Sequence, residues 1–195
     1  MKHILLLICC VVLFNTNGHG GNSAFPRGGQ WRGTLQLNDT TELPFTFTID
    51  WRPTEVAIIW SLTVVNGKEK IEVRDFKFDA DSVWWTMPVF NTKFRCKRES
   101  DTTFSGEWNN TAAGKPYVLK FRAVYGEPRF TRGDVCESAY NFEGKWESTF
   151  SPGRKGESKA IGLFEYAGEG KYTGTFATEF GDYRFLEGGY TDCDE

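Results

Sequence analysis

Between Leu43 and Trp51 every odd position is apolar: Leu43, Phe45, Phe47, Ile49 and Trp51. The even positions Pro44, Thr46, Thr48 and Asp50 carry no large apolar group. A two-residue period sends one set of side chains to a core and the other to water, which describes a strand and not a helix. The alternation returns in Tyr117–Tyr125, with Tyr117, Leu119, Phe121, Ala123 and Tyr125 on one parity and Lys120 and Arg122 on the other. No stretch beyond the N-terminal leader shows a helical period. Aromatic residues make up 16% of the 195 residues, which suits strands with a bulky core, and 21 glycines punctuate the runs. The expected class is all-β, an antiparallel meander.

Eight strand-like runs follow one another: Trp31–Leu37, Leu43–Trp51, Val56–Val65, Glu69–Phe78, Val83–Met87, Phe90–Lys97, Thr103–Trp108 and Tyr117–Tyr125. Asn66-Gly67 between two of them is a strong hairpin signal, because both residues tolerate positive φ. Eight sequential strands on short turns are expected to close into a barrel, which removes exposed edges. Residues 126–142 interrupt the rhythm with Gly126, Pro128, Gly133 and Asp134. The pattern then restarts with Lys145–Phe150, Lys159–Tyr166, Lys171–Thr178 and Tyr183–Glu187. Both sets open on Gly-x-Trp, at Gly29-Gln30-Trp31 and Gly144-Lys145-Trp146. Laying Trp31 on Trp146 also lays Thr34 on Thr149 and Leu35 on Phe150. The expected organisation is a leader over 1–20, a lead-in over 21–28, a first barrel-like repeat over 29–126, a linker over 127–142 and a second, truncated repeat over 143–195. A half-repeat leaves an exposed edge strand, through which the chain can oligomerise.

The leader reads as a signal peptide: Lys2, then an apolar run from Ile4 to Phe14, then small polar residues from Asn15 to Gly20. Eleven apolar residues are too few to span a bilayer, and no later run is long enough. Export is expected. Removing Lys2 takes the formal charge from −3 to −4, which argues against nucleic acid as a partner. The exported chain keeps Cys96, Cys136 and Cys193 without a C-x-x-C, so it has neither a thioredoxin-type pair nor a zinc ribbon. Cys136 and Cys193, both outside the first repeat, are the candidate disulfide pair. Histidine occurs only at His3 and His19, which removes His-dependent triads, His acid–base catalysis and His metal ligands. No cofactor, no metal and no enzyme activity are expected.

Several elements together carry a resemblance. Gly29-Gln30-Trp31, Glu42-Leu43-Pro44-Phe45, Val65-Asn66-Gly67, Phe104-Ser105-Gly106-Glu107-Trp108, Phe142-Glu143-Gly144-Lys145-Trp146, Ala160-Ile161-Gly162-Leu163-Phe164 and the stretch from Thr173 to Gly188 resemble the N-terminal β region of secreted bacterial thioredoxin-like (redoxin, TlpA-type) proteins. The Gly-x-Trp pieces alone also look lipocalin-like. The resemblance covers about 29–188 and implies a thioredoxin-like domain that is missing here, so that domain or its client becomes the implied partner. It implies a non-catalytic accessory β domain. The alternative is a lipocalin-like carrier of a small apolar ligand, although inward faces crowded with aromatic rings favour a filled interior.

The candidate contact or pocket residues are Trp31, Trp84, Trp85, Trp146, Asp182, Tyr183 and Arg184. A first-strand Trp is expected to plug a barrel end, at Trp31 and Trp146 alike. Trp84 and Trp85 are adjacent in a strand, so one faces the core and the other lies outside, at the contact between the two β units or, alternatively, at a partner surface. Asp182 and Arg184 share a face and are expected to form a cross-strand ion pair beside a turn, the alternative being a polar cluster at a pocket mouth; Tyr183, Phe185 and Glu187 are expected on the other face. Asp182 and Glu187 then have opposite parity and cannot be a hydrolytic carboxylate pair.

Overall fold

The computed structural model describes residues 25–88, 92–111, 115–131, 136 and 140–190. The expected leader, the start of the lead-in, and Cys193 lie outside them. The described residues form thirteen strands: β1 (Gly29–Gln36), β2 (Glu42–Pro53), β3 (Ile58–Asn66), β4 (Glu69–Val73), β5 (Asp75–Phe78), β6 (Ser82–Thr86), β7 (Lys93–Ser100), β8 (Thr103–Asn110), β9 (Tyr117–Tyr125), β10 (Gly144–Phe150), β11 (Ser158–Gly168), β12 (Lys171–Thr178) and β13 (Gly181–Gly189). The first nine make one nearly closed antiparallel sheet in the order β4-β3-β2-β1-β9-β8-β7-β6-β5. The last four make a second sheet in the order β10-β11-β12-β13.

Nine strands stand where eight runs are expected, because Glu69–Phe78 splits at Arg74. Up to Val73 the odd residues Ile71 and Val73 turn inward; beyond it the even residues Phe76 and Phe78 do. This one-residue slip in parity lets β4 pair with β3 and β5 with β6. The seam of the barrel therefore falls where the chain itself is continuous.

Aromatic rings fill the first barrel. Trp31 is fully buried and stacks on Phe104 at 4.2 Å between ring centres, and Trp85 stacks on Phe94 at 4.3 Å. Phe121 meets Phe94 edge-on at 4.9 Å and lies near-parallel to Phe45 at 5.9 Å. Such pairs add about 0.5–1.5 kcal/mol each beyond the area they bury. Gly33 makes room for two of these rings, since a Cβ there would sit 2.7 Å from Phe45 and 3.0 Å from Phe121.

A buried arginine ties turns to the chain's entry into the barrel. The Arg98 side chain is wholly enclosed; Nη1 donates to the carbonyls of Asp79 (3.4 Å) and Ala80 (3.1 Å), and Nη2 to Phe25 O (2.9 Å) and Asp101 Oδ1 (3.4 Å). A guanidinium suits the task because its five donors fan out in a fixed plane. The linker is strapped to the outside of the barrel: Arg32 Nε donates to Arg129 O at 2.9 Å, and Arg129 Nε to Pro44 O at 3.1 Å.

Candidate functional site

The second sheet repeats the first four strands of the barrel in register. Trp31 pairs with Phe47 and Trp146 with Gly162; Gly29 pairs with Ile49 and Gly144 with Phe164. Farther along, Asn66 pairs with Glu69 and Thr178 with Gly181, at the same step before each turn. Local geometry repeats as well. Gly29 and Gly144 have φ of 119° and 117°, a region that side chains avoid. Each following tryptophan donates its indole N–H four residues back, Trp31 to Arg27 O (3.0 Å) and Trp146 to Phe142 O (2.8 Å).

Cross-strand neighbours share a face, so the pairings define rows. One row runs Trp146, Gly162, Phe176, Tyr183; the next runs Gly144, Phe164, Gly174, Leu186. In the barrel the matching rows are Trp31, Phe47, Val64, Ile71 and Gly29, Ile49, Leu62, Val73. Glycines at 162 and 174 are offset by the rings across from them: a Cβ on Gly162 would meet Phe164 at 2.7 Å and Phe176 at 2.9 Å. The outward face carries Lys145, Glu147, Glu165, Thr173 and Asp182 beside Ile161 and Leu163.

The two copies of this face differ in cover. The barrel's is buried under β5–β9. In the second sheet Trp146 is 44% exposed and Tyr183 57%, and Ala160 is the one buried hydrophobic residue among those described there. Phe142, Trp146, Phe164, Tyr172, Leu186 and Tyr190 line an open trough of about 580 Å³. Phe150 meets Phe176 and Tyr183 edge-on at 5.2 and 5.7 Å, and Phe164 meets Phe176 at 5.4 Å, so the exposed rings are already packed in order.

The expected site residues divide accordingly. Trp31 is fully buried in the barrel, stacked on Phe104. Trp146, expected to plug a barrel end as well, does not: it holds the same backbone contact but lies open to the trough, because among the described residues no strand crosses it. Trp85 is the buried member of its pair; its Nε1 has no acceptor among the described residues, and its ring lies edge-on to Phe121 at 5.7 Å. Trp84 lies outside, as the parity requires, flanked across the sheet by Lys77 and Arg95. It does not mark the main junction between the units. That junction is made by Arg129, whose Nη1 donates to Glu187 Oε2 (2.6 Å) and to Asn66 Oδ1 (3.0 Å), with Gly67 against Glu187.

Strand β13 corrects two expectations. Phe185 has a φ of 60°, and the register slips between Gly174 and Phe176, a bulge that alternation cannot reveal. Beyond it Leu186, and not Phe185 or Glu187, shares the face of Tyr183. Asp182 and Glu187 consequently fall on the same outward face. Each of the two carboxylates is paired with an arginine: Asp182 Oδ2 accepts from Arg184 at 3.0 Å and Glu187 Oε2 from Arg129 at 2.6 Å. The Asp182–Arg184 pair also runs along one strand and not across two.

Cys96 is buried in the barrel, and burial pushes its thiol up to about 12, so it is not a thiolate at neutral pH. Cys136 is disulfide-bonded, and its N–H donates to Tyr190 O at 2.9 Å. Among the described residues no group of three acidic, Cys or His side chains is placed to hold a metal ion, and no helix is long and apolar enough to cross a membrane. Comparison with protein-family models, with curated proteins and with solved structures returns no match for this chain.

Proposed function

We propose that this chain is a non-catalytic, exported structural module that works by assembly, the accessory β region of a thioredoxin-like (redoxin) protein of the periplasm or cell envelope. The observation that carries the assembly role is the second sheet. It repeats the register of β1–β4 and keeps a core-type aromatic face, yet among the described residues no strand covers that face. A face built like a core and left uncovered is an interaction surface. Support for a non-catalytic role comes from the cysteines: Cys96 is held as a buried thiol and Cys136 is already bonded. The test is dithiothreitol-driven reduction of a protein disulfide by the purified chain. The expected rate equals that without protein; catalytic turnover refutes the proposal.

A carrier of an apolar ligand is the second reading, and the trough favours it. Its volume of about 580 Å³ lies within the range of small-molecule sites, and five of its twelve lining residues are aromatic. It would place the ligand on the second sheet and not inside the first barrel. Saturable quenching of tryptophan fluorescence by a fatty acid, lost in Trp146→Ala, supports this reading; a flat titration removes it.

A further inference from the structure

Among the described residues β10 and β13 are edge strands that pair with no further strand, Tyr190 just beyond β13 bridging Cys136, and the sheet has one aromatic face; a single event can cover all three. We propose that a second copy of this chain closes it, the two β10–β13 sheets joining into one eight-stranded barrel with β10 of each copy beside β13 of the other. This rests on reading β10–β13 as an assembly surface.

Strand count makes the closure possible. Four strands in an antiparallel meander leave β10 and β13 running in opposite directions. A two-fold axis along the barrel then sets β10 of one copy antiparallel to β13 of the other, at both seams at once. A sheet of three or five strands would bring parallel edges together. Eight strands also make an interior that side chains just fill. Each copy supplies Trp146, Phe150, Phe164, Phe176, Tyr183 and Leu186 to that interior, where β5–β9 cover the matching rows of the first barrel. The contact is isologous, as most soluble dimers are.

Charge selects the register. The outward row of β10 carries Lys145 then Glu147, and the start of β13 carries Asp182 then Arg184. Antiparallel pairing of Glu147 with Arg184 of the second copy sets Thr149 against Asp182 and carries Lys145 toward Glu187. Sliding by one pair would oppose Glu147 to Asp182 and Lys145 to Arg184, two like-charge contacts. The favoured register uses Gly181–Arg184, whose Asp182–Arg184 ion pair is internal to the segment; farther on, Glu187 is held by Arg129 and Tyr190 by Cys136.

The experiment is sedimentation of the purified full chain across a concentration series, with hydrogen exchange read at the β10 and β13 amides. Expected are a concentration-dependent dimer and protection at Lys145–Thr149 and Gly181–Arg184 that rises with it. Glu147→Arg weakens the dimer by about tenfold, close to 1.4 kcal/mol, and adding Arg184→Glu restores most of it. Trp146→Glu gives a monomer whose first barrel keeps its near-ultraviolet circular dichroism, while Trp84→Ala, off the seam, leaves the dimer intact. A monomer throughout the series, or a dimer indifferent to Trp146→Glu, overturns the proposal. A monomer whose tryptophan fluorescence is quenched saturably by a fatty acid overturns it in favour of the carrier reading. None of these outcomes involves disulfide reduction, so failure here is distinct from failure of the non-catalytic reading.

Discussion

Trp31 and Trp146 begin the same motif, follow a glycine of nearly the same φ, make the same hydrogen bond and pair at the same register, yet one is fully buried and the other 44% exposed. The motif therefore specifies a strand start, not a core position. Burial comes from what crosses above. For Trp31 that is Phe104 of β8, from a part of the sequence far from its own hairpin. The two regions separate a local contribution, strand and register, from a long-range one, the cover.

That separation can be broken or sharpened by substitution. The largest contrast is expected from truncating the two tryptophans. Trp31→Ala should cost about 3–5 kcal/mol in urea unfolding, the range for deleting a buried aromatic. Trp146→Ala in dilute protein should cost less than about 1 kcal/mol, since little packing is lost. Equal losses would mean that the second sheet buries its face in solution. Next is Arg98→Met, which strips the donors from the carbonyls of Phe25, Asp79 and Ala80 and should cost about 2–4 kcal/mol, with the first barrel alone losing hydrogen-exchange protection.

Cys96 gives the barrel a pH signature. Its thiol is raised from 9.0 to about 12 by burial, so above pH 9 the unfolded chain loses a proton that the folded one keeps. Stability from this group should be flat below pH 9 and fall toward pH 12, by up to about 1.4 kcal/mol per pH unit. Cys96→Ala should flatten that slope. Arg129→Ala removes the link between the regions and should cost about 1–2 kcal/mol, seen as faster proteolysis of 140–190 without earlier unfolding of the barrel. Smallest is Asp182→Asn: its pair with the largely exposed Arg184 should be worth under about 0.5 kcal/mol, and a larger loss would point to a partner at that edge.

The strands and the division into two sheets were legible because alternation and Gly-x-Trp are local signals. The split at Arg74 and the bulge at Phe185 were not, since each is a one-residue slip that pairing partners decide. The trough was half-legible: Trp146 and Tyr183 stood out as candidates, whereas Phe164, Phe176 and Leu186 were not singled out. Their exposure depends on which strands lie above them, and composition carries no trace of that. Glu187 was placed on the wrong face by the same bulge, so its pair with Arg129 was hidden.

The pairing of Trp31 with Tyr125 also has a kinetic side. Every contact of β10–β13 with its own sheet is a hairpin between neighbours, which forms quickly, whereas β1 cannot close on β9 until the intervening strands exist. During synthesis from the N-terminus, Trp31 must wait on an open four-stranded sheet β1–β4 until β9 arrives. For that interval the barrel stands as a single unassembled second sheet does, and how long it is vulnerable to mispairing is set by how fast Tyr117–Tyr125 is delivered.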